Sequence, residues 1–288
     1  MHQKCYTENR GGEANSMTHG TKHRLFVLGN ILFFLGMVTV NGLANAIPIG
    51  GRTTGRISDG IPNLFVPAGL TFSIWGVIYL LLLVFVVWQA RGLIRREERL
   101  HQMLSRIGPF FILSSALNAT WIFAWHFLLI GLSLAIMFAL LVTLLALYLR
   151  LRIGRERVKL SEKICGHLPF SVYLGWITVA TIANVTAVLV TNGWDGFGLS
   201  ERFWTVLMIG TAILIALTSL VTRRDIPFAL VIAWALFGIY LKRTSPELVL
   251  VPEVACGALA GMIIVLAGSV GTLVRVLLRP RRIPEKTT

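Results

Sequence analysis

Amides and indoles at helical spacing carry the chemistry this chain could perform. Asn118, Trp121 and Trp125 recur at i, i+3 and i+7, which sets one amide and two indoles on a common helix face. Tyr173, Trp176, Ala180 and Asn184 repeat the theme, and Trp75 with Tyr79 gives a third aromatic pair at i, i+4. Asn30, Asn41 and Asn45 fall on one side of an earlier segment, since eleven residues bring a helix round to within about 20° of its start. Such groups stack and hydrogen-bond; they do not make or break bonds. An amide in hydrocarbon seeks a partner, so gluing helices together is its ordinary role. Trp75, Trp121 and Trp176 each lie beside a polar neighbour and together would line a cavity for a flat, mostly apolar ligand. Trp88, Trp194 and Trp204 stand near segment ends, where indoles usually mark the membrane–water interface.

Other chemistries find no footing. There is no P-loop and no HExxH motif, and the apolar segments have no Asp or Glu in their middle. A proton-coupled carrier normally keeps a carboxylate there. His126 reads as an interfacial histidine, not a ligand. Cys5, Cys165 and Cys256 lack the spacing of a zinc site or disulfide framework. Neither a catalytic nor a metal-binding residue is expected.

The elements that must position these residues follow from composition. Of the 288 residues, 55% are hydrophobic and 14% charged, with a mean hydropathy of +0.74. Soluble domains carry roughly a quarter charged residues, so this is an integral membrane protein. A helix crosses the hydrocarbon core in about 20 residues, and the apolar blocks give eight spans: 25–47, 69–90, 109–130, 132–150, 168–191, 203–222, 226–241 and 253–278. The fold class is therefore all-α, a polytopic transmembrane bundle. The third and fourth spans form a hairpin around Ile130-Gly131, and the short seventh starts with Pro227 in its first turn. No internal repeat stands out, which disfavours an inverted-repeat transporter.

The net charge of +14 reflects orientation, not nucleic-acid binding. With the N-terminus inside, inner segments hold 22 of the 27 Lys and Arg and outer loops hold 5. That bias puts both termini in the cytoplasm of a plasma-membrane protein. The outer loop 48–68 has three prolines and four glycines; its length suits a lid as well as a solvated connector. Gly257 and Gly261 form GxxxG, followed by Gly268 and Gly271, a pattern for close helix packing, with a homodimer contact as the alternative.

These motifs resemble those of the tryptophan-rich sensory protein / translocator protein (TspO/MBR, peripheral benzodiazepine receptor) family. Pro169 with Trp176, Ala180 and Asn184 is similar to that family's last helix, P-x-x-x-W-x-x-x-A-x-x-x-N in form. FSIWGVIY, with Trp75 and Tyr79, resembles its aromatic segment after the proline-bearing loop, and LNATW, with Asn118 and Trp121, resembles its L-N-x-x-W. Order and spacing agree over 25–195. The family is typically five-helical, so 203–279 reads as an added three-helix segment, between a polar tail at 1–24 and a basic tail at 280–288. Ile74 also stands where a proline is common. The resemblance implies a pocket for porphyrins, haem included, or other flat hydrophobic molecules, lined by Trp75, Tyr79, Asn118, Trp121, Tyr173, Trp176 and Asn184. It implies a receptor or transport-type binding protein for a small hydrophobic ligand. Two alternatives stay open. One is a permease subunit of a multicomponent (ABC-type) transporter, with Arg91–Arg106 and Arg150–Lys163 docking a partner ATPase. The other is a membrane enzyme modifying a bound tetrapyrrole.

Overall fold

The structure, a computed structural model, describes residues 3–47, 49–94, 97–246, 248 and 250–278, with side chains from Arg24 onward except Ile49. Among the described residues eleven α-helices follow one another: α1 (Gln3–Ala46), α2 (Thr54–Asp59), α3 (Ile74–Ala90), α4 (Glu98–Ile107), α5 (Phe110–His126), α6 (Ile130–Arg150), the single turn α7 (Leu160–Glu162), α8 (Leu168–Thr191), α9 (Glu201–Arg223), α10 (Ile226–Arg243) and α11 (Pro252–Leu277). Among the described residues there is no strand. Among the described residues seven helices are long and apolar enough to cross a membrane, or eight if α4 and α5, bent by 46° at their junction, count as one span. The polytopic helical bundle is the architecture expected. The basic tail at 280–288 lies outside the described residues, and the α1 backbone is already helical from Gln3.

Local chemistry explains where helices start and stop. Ser200 caps α9 by accepting from Phe203 N, and Asp225 caps α10 by accepting from Phe228 N, just ahead of Pro227. The bend between α4 and α5 sits at Gly108-Pro109, where Gly108 takes φ +50°, ψ −135°, a conformation that side chains disfavour. Two details differ from the sequence reading. The third span ends at His126, and the hairpin turn is Phe127–Leu129 instead of Ile130-Gly131. Leu128 adopts φ +57° there, and Leu129 N bonds back to Ala124 O at 2.9 Å. The inner loop 91–108 also contains the amphipathic α4, which buries Leu100, Met103, Leu104 and Ile107 beneath the bundle. Its apolar positions were hidden among five basic residues.

The two ends of the bundle are held by different contacts. At one end Arg106 pairs with Glu156 at 2.6 Å, Arg150 Nε donates to Arg106 O, and Arg223 donates to Ile153 O. The Arg106 guanidinium holds the Glu156 carboxyl below the usual range. Asp225 is buried there and accepts from Tyr148 and Ser171 hydroxyls at 2.7 and 2.8 Å, while burial raises its pKa. Above this layer Phe85, Phe111 and Phe170 pack edge to face, with centroids 5.1–5.8 Å apart. Lipid tails are as apolar as these rings, so the gain is fit, not escape from water.

The last three helices join the first part through α10. Gly175 on α8 lies so close to α10 that a Cβ would come 3.0 Å from Phe228 O. On α11, Gly261 and Gly268 admit side chains of α9 (Ile213, Leu217, Leu220) and α10 (Leu236), whereas Gly257 and Gly271 meet open space. Within the fold, the packing glycines are thus a seven-residue pair, not the GxxxG pair.

Candidate functional site

The opposite end carries the loop 48–68 and the aromatic residues beneath it. The loop folds inward: Thr53 caps α2, the Asn63 carboxamide oxygen accepts from Phe65 N and Val66 N at 3.1 and 3.0 Å, and Phe65 and Val66 are 1% and 2% exposed. A 3₁₀ turn, Gly69–Ser73, then leads into α3. The second span therefore begins beneath a plug of its own preceding loop. Trp75 and Trp176 consequently lie closer in depth than counting from the ends of their spans suggests. Straight-helix counting places Trp75 and Trp176 about 13 Å apart in depth, yet their ring centroids are 6.1 Å apart.

Trp75 is the hub of the cluster. It stacks with Tyr79 (5.6 Å, 20°) and Trp121 (6.3 Å, 30°), and meets Tyr173 (6.2 Å) and Trp176 (6.1 Å) edge-on. Trp121 stacks in turn on Trp125 at 5.6 Å, and Phe72 meets Trp176 at 5.9 Å. Behind the rings runs a line of amides. Asn41 Nδ2 donates to Asn118 Oδ1 (2.8 Å), and Asn118 Nδ2 to the Tyr173 hydroxyl (2.9 Å). Ser133 Oγ donates to Asn184 Oδ1 at 3.0 Å, with Trp121 Nε1 at 3.5 Å from the same oxygen. Asn184 is level with Trp121, as counting residues predicts. Asn30 pairs separately with Gln89 at 2.8 Å, and Asn45 departs from the expected common face. It is exposed and bonds only back to Asn41 O, because it lies about 60° round the helix from Asn30.

A cavity of about 40 Å³ lies between these rings and the loop. Trp75, Trp121, Trp176 and Asn184 line it. Tyr79, Asn118 and Tyr173 do not; they stand one layer behind, where Tyr173 and Asn118 are 0% exposed. Thr54, Asn63, Phe72 and Trp125 are also in the walls, and every lining residue falls between Thr54 and Ala187. The loop residues were not legible as site residues because no helical period reaches them. Among the described residues that line the cavity, two carry a fully buried donor with no partner: Trp176 Nε1 and Thr54 Oγ1. The Tyr79 hydroxyl is likewise buried and unpartnered. Buried polar atoms left unpaired are uncommon in native folds, and the Trp176 and Thr54 donors belong to residues that line the cavity. His126, at the end of α5, is 6% exposed. Its Nδ1 is 2.9 Å from Ile122 O, and the turn at Gly50 lies over its carbonyl.

Residues of α9 and α10 contact the loop and the turn that follows it. Ala68 N donates to Gly238 O (2.9 Å) and Trp234 Nε1 to Thr71 O (3.0 Å). Leu64 N donates to Glu201 Oε1 (2.8 Å), and Lys242 pairs with Asp59. Gly238 is required: a Cβ there would overlap the Thr71 hydroxyl and come 2.9 Å from Pro67 Cβ. None of these contacts was visible in the sequence, since each joins residues more than 130 positions apart. Trp194 and Trp204, expected as separate interface residues, turn toward each other at 4.9 Å because the loop 192–200 folds back over α9.

A many-spanning helical bundle enclosing a loop-capped aromatic cavity defines a membrane protein suited to binding or transport. A family model described as TSPO-like protein matches residues 26–271, and the chain belongs to that family. The match takes in the three C-terminal helices as well as the motif-bearing ones. No curated protein and no solved structure matches the chain.

Proposed function

We propose that the protein is a receptor or transport-type binding protein for a flat hydrophobic ligand of the porphyrin class, held by the indoles beneath the loop 48–68. The observation that carries this reading is the convergence of Trp75, Trp121 and Trp176 from three helices on one cavity with two unpartnered donors. Ligand faces would stack on the indoles, and acceptor oxygens on the ligand would take the Trp176 and Thr54 hydrogens. Ligand sites run to about 300–1,000 Å³ and the cavity here is about 40 Å³, so in this proposal it is the closed form of the site. Admission of a tetrapyrrole requires the loop to lift as a lid. Since the lining ends at Ala187, residues 25–195 form the binding unit in this proposal, and the last three helices set how firmly the lid is held.

Titration of purified full-length protein with protoporphyrin, followed by absorbance and tryptophan quenching, tests the reading. Trp75→Ala, Trp121→Ala or Trp176→Ala should each weaken binding by about 1–3 kcal/mol, the range for a ring stacked on an aromatic side chain. Trp88→Ala, at the far end of α3, should leave it unchanged. Unaltered affinity in all three wall variants would make them packing residues only.

The same proposal places the lid outside the plasma membrane and both termini in the cytoplasm. The charge bias supports it, and lid, Glu201 and Lys242 lie together at the end away from Arg106, Glu156 and Arg223. On a cysteine-free background, a cysteine at position 288 should resist impermeant maleimide in intact cells, and one at Gly51 should react. The reverse pattern would invert the molecule.

A further inference from the structure

A second cavity lies outside the aromatic cluster, between α8, α9 and the back of the lid. At about 190 Å³ it is the roomier of the two, and the aromatic cavity and it share Asn63 as a wall. Val185, Leu189 and Met208 give it an apolar floor, and Trp194 and Trp204 form an aromatic side. Trp204 is fixed there by donating from Nε1 to Gly196 O at 2.9 Å. Asp195 and Glu201 stand in the lining, each with one oxygen committed to a backbone N–H, of Phe197 and Leu64 respectively. Neither is in an ion pair among the described residues, and no Lys or Arg lines the cavity. Arg243 is within electrostatic reach of Glu201 but outside the lining.

We propose that this cavity is a second binding site, taking an ammonium group carried on a small apolar body. The cation would sit between the two carboxylates and the indole faces, which attract it through their quadrupoles. The apolar body would lie on Val185, Leu189 and Met208. The same chemistry is offered by a free hydrophobic amine and by an amine-bearing lipid headgroup, since the cavity lies at the lid end, where the headgroups would be. The site does not depend on porphyrin being the ligand of the aromatic cavity.

Calorimetric titration of the full chain in dodecylmaltoside, whose headgroup is uncharged, tests this with phenethylamine against 2-phenylethanol. The amine should bind at least tenfold more tightly. The double substitution Asp195→Asn and Glu201→Gln keeps both amide oxygens as acceptors for Phe197 N and Leu64 N, so the fold is spared. It should abolish the preference for amine without lowering the melting temperature. Trp75→Ala, in the other cavity, should leave amine binding unchanged. If short-chain phosphatidylethanolamine competes and phosphatidylglycerol does not, the site takes a lipid headgroup; if neither competes, it takes a free amine. Equal binding of amine and alcohol, a preference surviving the double substitution, or loss of amine binding in Trp75→Ala would each overturn the proposal.

Discussion

Asn118 shows how a polar residue in this bundle earns its place. It accepts from Asn41 and donates to Tyr173, all three buried, so it ties α1, α5 and α8 behind the aromatic wall. Replacing it with Ala should leave the buried Tyr173 hydroxyl without a partner and Asn41 Nδ2 with Met37 O alone, at a cost of about 1–3 kcal/mol. The expected outcome is a lower melting temperature in detergent, with porphyrin affinity changed less than in Trp121→Ala because Asn118 does not reach the cavity. A melting curve identical to the parent's would mean that water or a neighbour replaces the amide. At this scale much of the site was legible: the spacings of Trp75, Trp121, Trp176 and Asn184 put each on an inward face, and all four line the cavity. Depth was not legible. Tyr79, Asn118 and Tyr173 have the same periodicity as the lining residues, and spacing along a helix does not distinguish the first layer from the second.

At the level of elements, hydropathy located every span, because the need to satisfy backbone groups inside lipid leaves helices as the only apolar solution here. It missed α4, whose charged face reads as a loop, and the inward fold of 48–68, which depends on contacts with helices far along the chain. Those contacts make the lid's hold adjustable. Gly238→Ala should push Thr71 and Pro67 off α10 and loosen Ala68, since the added methyl overlaps both. Arg52 and Arg56 in the lid are exposed. Trypsin should therefore cut there severalfold faster in the variant, with cleavage elsewhere little changed. Equal cutting rates would show that the lid is held without α10.

Considered whole, the proposed function makes the molecule a binding unit covered by the loop 48–68, and the last three helices contribute no residue to the cavity lining. Lid-pinning residues lie on α9 and α10, and α11 backs both through Gly261 and Gly268. If the cavity fills only when the lid lifts, covalently fixing the lid must stop uptake without altering the walls. Asp59→Cys with Lys242→Cys, on a chain whose Cys5, Cys165 and Cys256 are replaced by Ser, puts one thiol on each side of the clamp. A short bis-maleimide then joins lid to α10. The rate of porphyrin uptake by the joined protein, against the same protein capped with a mono-maleimide, is the decisive measurement: the joined form should take up ligand at least tenfold more slowly, and equal rates would contradict entry beneath the lid.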